Sequence, residues 1–133
     1  LSQSAELQRY VVEALRASAD VAAIAGARVQ AGQAPAAWEL PYVTVRVVDA
    51  IEADEECIPG ENVAVEVHAW SREETECLRL SDATKAALHR TSADVGTWAL
   101  VDLWFVNGTN VGDPDGITEH RVARFEALLE RPD

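Results

Sequence analysis

The sequence predicts a two-layer α+β domain, with a mainly antiparallel four-stranded sheet and two long helices on one face. Three patterns carry that prediction. Apolar residues recur at spacings of three and four over residues 4–19 and again over 73–90. They alternate with a period of two over residues 42–48, 62–70, 98–106 and 117–129. The order is a long helix, a short helix, two strands, a helix and two more strands, which fits two hairpins joined by a helix. The 133 residues read as one domain, 1–133, with no internal repeat and no linker.

Taken in order, Leu7, Val11, Ala14, Leu15 and Ser18 share one face of the first helix, and Ser4 is a candidate cap. Asp20 is a second capping candidate, for a short turn Val21–Ala25 that Gly26 would end. Residues 27–41 are rich in Ala, Gly, Gln and Pro and read as a short extended piece followed by a loop. In the first strand Val43, Val45 and Val47 face one way and Tyr42, Thr44 and Arg46 the other. In the second, Val63, Val65, Val67 and Ala69 alternate with Ala64, Glu66, His68 and Trp70. The segment Asp49–Asn62 between them is predicted to be a mobile loop. It carries Asp49, Glu52, Asp54, Glu55, Glu56 and Glu61 and no base, so its charges repel. Cys77, Leu80, Thr84, Ala87 and Leu88 form the stripe of the second long helix, with Ser71 as a cap. Residues 91–97 read as a connector. The third strand puts Ala99, Val101, Leu103 and Phe105 on one face, and Asn107–Gly116 reads as turn. The fourth sets Arg121, Ala123, Phe125 and Ala127 against Val122, Arg124 and Glu126.

Charge narrows the function classes. With 23 acidic and 11 basic side chains the net charge is -12, which disfavours a protein that grips nucleic acid or an anionic membrane. No apolar run approaches the ~18 residues that cross a bilayer, and the start lacks the basic-then-apolar order of a signal peptide. Two cysteines, Cys57 and Cys77, are too few for a disulfide scaffold or a four-cysteine zinc site.

Catalytic and metal patterns are also missing. There is no nucleophile elbow and no phosphate loop. His68, His89 and His120 each read as isolated, with His68 a surface or interface residue. Asp113-Pro114-Asp115-Gly116 reads as a turn, because Asp bonds its own backbone and Gly supplies positive φ, and not as a calcium loop. No enzyme, no cofactor and no metal are expected. Of the four tryptophans, Trp38 sits in a Pro-flanked polar loop and is the one least suited to the core; such residues are common where partners dock.

Three stretches taken together resemble a known family. They are Leu40-Pro41-Tyr42-Val43-Thr44-Val45, then Val67-His68-Ala69-Trp70-Ser71, then Asp113-Pro114-Asp115-Gly116 followed by His120, Val122 and Phe125. With the Leu7…Leu15 helix, the order is similar to the small tail-completion, or tail-terminator, proteins of long-tailed bacteriophages and gene transfer agents. The resemblance implies a structural virion protein at the head–tail junction, assembled in the bacterial cytoplasm. It implies a homo-hexameric ring that caps the tail tube, ends its polymerisation and docks on the head connector or stopper, while DNA passes without specific binding. The free subunit is expected to be a monomer or weak oligomer. The acidic loop is the expected bore or subunit-interface element. Trp38, Tyr42, Asp113 and Asp115 are the expected partner contacts. Another head–tail joining protein, a stopper or adaptor, is the nearest alternative, and a small ligand- or peptide-binding module the next.

Overall fold

The computed structural model describes residues 3–53 and 60–131. The first helix, α1, spans Gln3–Ala17 and buries Leu7, Val11 and Leu15 completely. It is followed by α2, Ala19–Ala25. The cap of α2 is Ser18, not Asp20: the Ser18 Oγ accepts from the Val21 amide at 3.2 Å. Gly26 ends it at φ 60°, with its N–H on the Ala22 carbonyl. The last helix, α3, spans Glu74–Leu88. Just before it, the Ser71 hydroxyl accepts from the Glu73 amide and donates to the Glu76 carboxylate.

The sheet has six strands, not four: β1 (Val29–Ala31), β2 (Tyr42–Ala53), β3 (Gly60–Ser71), β4 (Thr91–Val95), β5 (Trp98–Gly112) and β6 (Glu119–Glu130). Their spatial order is β1-β2-β3-β6-β5-β4. Among the described residues only β1 and β2 pair in parallel. Three helices, two of them long, share one face. There α1 packs on β1 and β2, α3 packs on β3, β6 and β5, and the helices touch one another. No described helix is long and apolar enough to cross a membrane.

The extra strands arise where the sequence reads as loop. Residues Asp49–Ala53 and Gly60–Asn62 belong to β2 and β3, with Glu52 opposite Glu61 and Ala53 opposite Gly60. The predicted loop Asp49–Asn62 is therefore corrected: only 54–59 lie between the strands, and Asp54, Glu55 and Glu56 fall outside the described residues. The physical reason is the partner on the other side. Strand β6 pairs with β3 as far as Gly60–Glu130, so β3 is already straight there and offers β2 a ladder to continue along. The same holds for Asn107–Gly112. Read as turn, this stretch is strand because β6 pairs with it as far as Glu119. The connector 91–97 holds β4, joined to β5 through Gly96 at φ 62°. The φ of 62° strains any side-chain-bearing residue at Gly96, and a Cβ there would also lie 2.9 Å from the end of the Glu6 side chain, which would have to move.

Most of the predicted core rows hold: Val43 and Val45, Val63, Val65, Val67 and Ala69, and Ala123, Phe125 and Ala127 are buried against the helices. On β5 the row changes. The register shifts between Leu100 and Asp102, so Leu100 and Leu103 go inward while Val101 is 43% exposed. A bulge of this kind flips every residue on one side of it to the other face. Phe125 is fully buried at the centre, edge-on to Phe105 at 5.7 Å between centroids.

Phe125→Ala is expected to cost about 3–5 kcal/mol in urea unfolding, whereas Ile117→Ala, at a site 63% exposed, should stay within about 0.5 kcal/mol of the parent.

Candidate functional site

The sheet face away from the helices is uncovered. Register sets Tyr42, Trp70, His120 and Val111 in one row across it, and Thr44, His68, Val122 and Thr109 in the row two residues along. All four rings in these rows, Tyr42, Trp70, His68 and His120, are half-buried.

They form one continuous pile with Trp38, which arrives from the loop before β2. That loop is held by the Trp38 amide on the Pro35 carbonyl and by Arg28 Nε on the Pro41 carbonyl, both at 3.0 Å. Trp38 meets Tyr42 at 6.0 Å between centroids and Tyr42 meets Trp70 at 6.1 Å. Trp70 stacks on His120 at 3.5 Å, 12° from parallel, and His120 on His68 at 4.9 Å. The Trp70 indole N–H is satisfied by the Thr44 hydroxyl at 3.1 Å, so the ring is locked in plane.

His68 and His120 do not stand alone. His68 Nε2 lies 3.0 Å from Glu66 Oε1, and His68 Nδ1 lies 2.7 Å from His120 Nε2. A carboxylate only accepts, so His68 Nε2 carries the proton and its Nδ1 accepts from His120 Nε2–H. This tautomer gives each contact one donor. Burial, and then the neighbouring His68, push the His120 pKa down from 6.5 to about 4. His120 is therefore neutral at pH 7.

A turn borders the pile. The Asp113 carboxylate accepts from the Asp115 amide at 3.0 Å. Asp115 Oδ1 accepts from the amides of Ile117 and Thr118, both at 2.8 Å, and its Oδ2 from the Thr118 hydroxyl. The Thr118 bonds, then that of Ile117, hold the Asp115 carboxyl at about 2, below the usual carboxylate range. Gly116 supplies the positive φ, 68°. Asp115 thus shapes its own turn, as the Asp-Pro-Asp-Gly sequence suggested.

Between the Trp38 loop and this turn lies an open groove lined by Trp38, Glu39, Tyr42, Trp70, Arg72 and Asp113 among others. Three residues expected at a partner contact, Trp38, Tyr42 and Asp113, meet there; Asp115 lies in the adjoining turn. The acidic positions Asp49, Glu52 and Glu61 lie toward the other end of the same strands. Sequence reading missed Glu66, Trp70, Arg72 and the His68–His120 pair. The pair depends on a β3–β6 register between residues 52 apart, which no local pattern encodes.

The depressed His120 pKa fixes the sign of a pH effect. Unfolded chain binds this proton near pH 6.5 and folded chain near 4, so in that window the unfolded state holds more protons. The melting temperature is expected to fall as pH drops from about 6.5 to about 4. His120→Gln keeps a donor toward His68 without titrating, and its melting temperature should fall less over the same window; an unchanged slope would contradict the assignment.

A family model described as "Tail completion protein gp17" matches residues 9–130. A comparison with curated protein sequences found no match. Among solved structures the chain is similar to one from the virion of a native gene transfer agent particle. The TM-score is 0.87 at 22% identity, over 98% of this chain and 99% of that one. It is also similar to bacteriophage SPP1 gp17, with a TM-score of 0.55 at 16% identity, over 93% of this chain and 88% of that one. At these identities the two structures speak for the fold, and the family rests on the model match. The chain therefore belongs to the tail completion protein gp17 family, structural proteins of the virion rather than enzymes.

Proposed function

We propose that this chain closes the end of a tail tube. Copies of it form a ring, six by the family resemblance, that stops further tube growth and presents the surface on which the head connector docks. DNA leaves through the bore. The observation that carries this reading is the family match over residues 9–130. It is supported by a sheet with two chemically different ends, which suits a piece that joins two different partners.

One end is the aromatic groove. Trp38 and Tyr42 are large amphipathic rings of the kind that anchor protein contacts, and Asp113, on the turn that Asp115 holds, adds a polar rim. This end meets the tube protein or the connector. About 33 Å along β3, from Trp70 to Gly60, lies the end where Glu52 and Glu61 face each other in register and Asp54, Glu55 and Glu56 follow in sequence. Here Asp49, Glu52, Asp54, Glu55, Glu56 and Glu61 face the bore or the neighbouring subunit. Same-sign repulsion keeps phosphates from adhering, and a conduit needs that weak contact. A chain of this length has a radius of gyration of about 14 Å, so six copies in a ring leave a central opening comparable to one subunit.

Free subunits are monomeric or weakly associated, since a ring formed in advance would cap tubes prematurely. Assembly takes place in the bacterial cytoplasm, at the tube end.

Particles assembled without this protein are expected to show filled heads with overlong or unattached tails by electron microscopy. Normal-length tails joined to heads in its absence would contradict the function.

A further inference from the structure

We infer that the contact between neighbouring copies in the ring is a strand pairing: the open half of β5, Asn107–Gly112, pairs antiparallel with the open half of β2, Val48–Ala53, of the next copy. This rests on the ring reading above and adds the surface that builds it.

Strands β2 and β5, next to the short edge strands, are each covered along only part of their length. Strand β4 covers β5 from Trp98 to Leu103, and β1 covers β2 from Val43 to Val45. Side chains extend this cover by one amide each. The Phe105 N–H donates to His89 Nδ1 at 3.0 Å, and the Val47 N–H donates to Gln8 Oε1 at 3.4 Å. Beyond these points, no strand among the described residues pairs with the outer edge of Asn107–Gly112 or of Val48–Ala53. The outer edge of β1 is treated differently. Its Val29 N–H donates to the Ala27 carbonyl at 2.8 Å, and its Val29 carbonyl accepts two bonds from Arg16, at 3.0 and 2.6 Å. One edge is sealed and the other is left as a template. Natural sheets guard open edges with charge or proline; Asn107–Gly112 contains neither, while Val48–Ala53 carries Asp49 and Glu52.

The two open halves match. Each is six residues long. Three successive antiparallel pairings, β2–β3, β3–β6 and β6–β5, make β2 and β5 antiparallel within one copy. Rotation about the ring axis keeps each strand's axial sense, so β5 of one copy and β2 of the next also run in opposite senses. Two different patches on opposite sides of one subunit form a heterologous contact, the kind that generates rings.

The halves lie at different heights, and this sets the tilt. The middle of Asn107–Gly112 aligns across the sheet with His68 and Ala69, and the middle of Val48–Ala53 with Asn62 and Val63. The offset is about 20 Å along the strands, against about 19 Å across four strand spacings. A closed ring with no axial step therefore inclines its strands by about 45°, at the upper end of the tilt that closed β-structures adopt. Curvature agrees. Strands β1 and β2 at one corner and the β4 hairpin at the diagonal corner both close onto α1. A twisted sheet is saddle-shaped, so its other diagonal, which joins the two open halves, bends away from the helices. The ring then carries its helices outside and its uncovered face inside.

Cysteine pairs test the contact in assembled particles. In a Cys57→Ser background, Asn110→Cys combined with Ala50→Cys or with Ile51→Cys is oxidised mildly and run on a non-reducing gel. Paired strands bring such residues within the ~4.5–7 Å between Cα atoms that a disulfide needs. The double variants are expected to give a ladder of multimers and the single variants only monomer. If microscopy shows a ring on normal-length tails while every double variant stays monomeric, the strand contact is overturned and the ring stands. If no ring is present, both are overturned. Should the double variants fail to assemble, amide exchange of unsubstituted protein decides: the Asn107–Gly112 amides should exchange at least about tenfold slower in particles than in free subunit. Equal rates overturn the contact.

Discussion

The structure depends on the placement of β6. Twelve residues, Glu119–Glu130, pair with β3 on one side and β5 on the other, and bury Ala123, Phe125, Ala127 and Leu129 completely. The last strand in the chain is thus at the centre of the sheet. Until it is seated, β3 lacks one neighbour and the β4–β5 hairpin has no sheet to join. The β3–β6 pairing joins distant parts of the chain, so loop entropy opposes it until the ladder forms. The aromatic pile depends on it too, since Trp70 and His120 meet only when β3 and β6 are in register.

From this constraint the two ends of the sheet acquire their characters. At one end, β6 brings His120 and the Asp113 turn against residues of β2 and β3, and the Trp38 loop closes over them. The rings there are half-buried, neutral at pH 7 where His120 is concerned, and each polar ring atom of Trp70 and His68 has a partner. The surface is therefore pre-organised and loses little freedom when covered. At the other end, β6 straightens β3 far enough to carry carboxylate-bearing positions on paired strands instead of on a loose loop. Such asymmetry suits the proposed role, in which one subunit meets unlike neighbours at its two ends.

Much of this was legible in the sequence. Helices α1 and α3, the valine rows of β2 and β3 and the inward row of β6 follow from periodicity alone. The family resemblance rested on strand-edge motifs that lie in β2, β3 and the turn before β6, and the family match supports it. What was not legible has a common cause. Glu52, Glu61, Asn107, Gly108 and Gly112 have low strand propensity and are strand only because a neighbour already presents a ladder. The bulge at Val101 reversed the inward face of β5 for a similar reason: no side-chain pattern announces a register shift. The histidine pair escaped because each His sits alone in its own segment and the partner comes from 52 residues away.

The central proposal is geometric: that this tail completion protein closes a tube end. Cryo-electron microscopy of the head–tail junction tests that most directly. The account predicts one six-membered ring of this chain between the last tube layer and the head connector, with helices outward. Density for this chain elsewhere in the particle, or repeated along the tube in many layers, would contradict it.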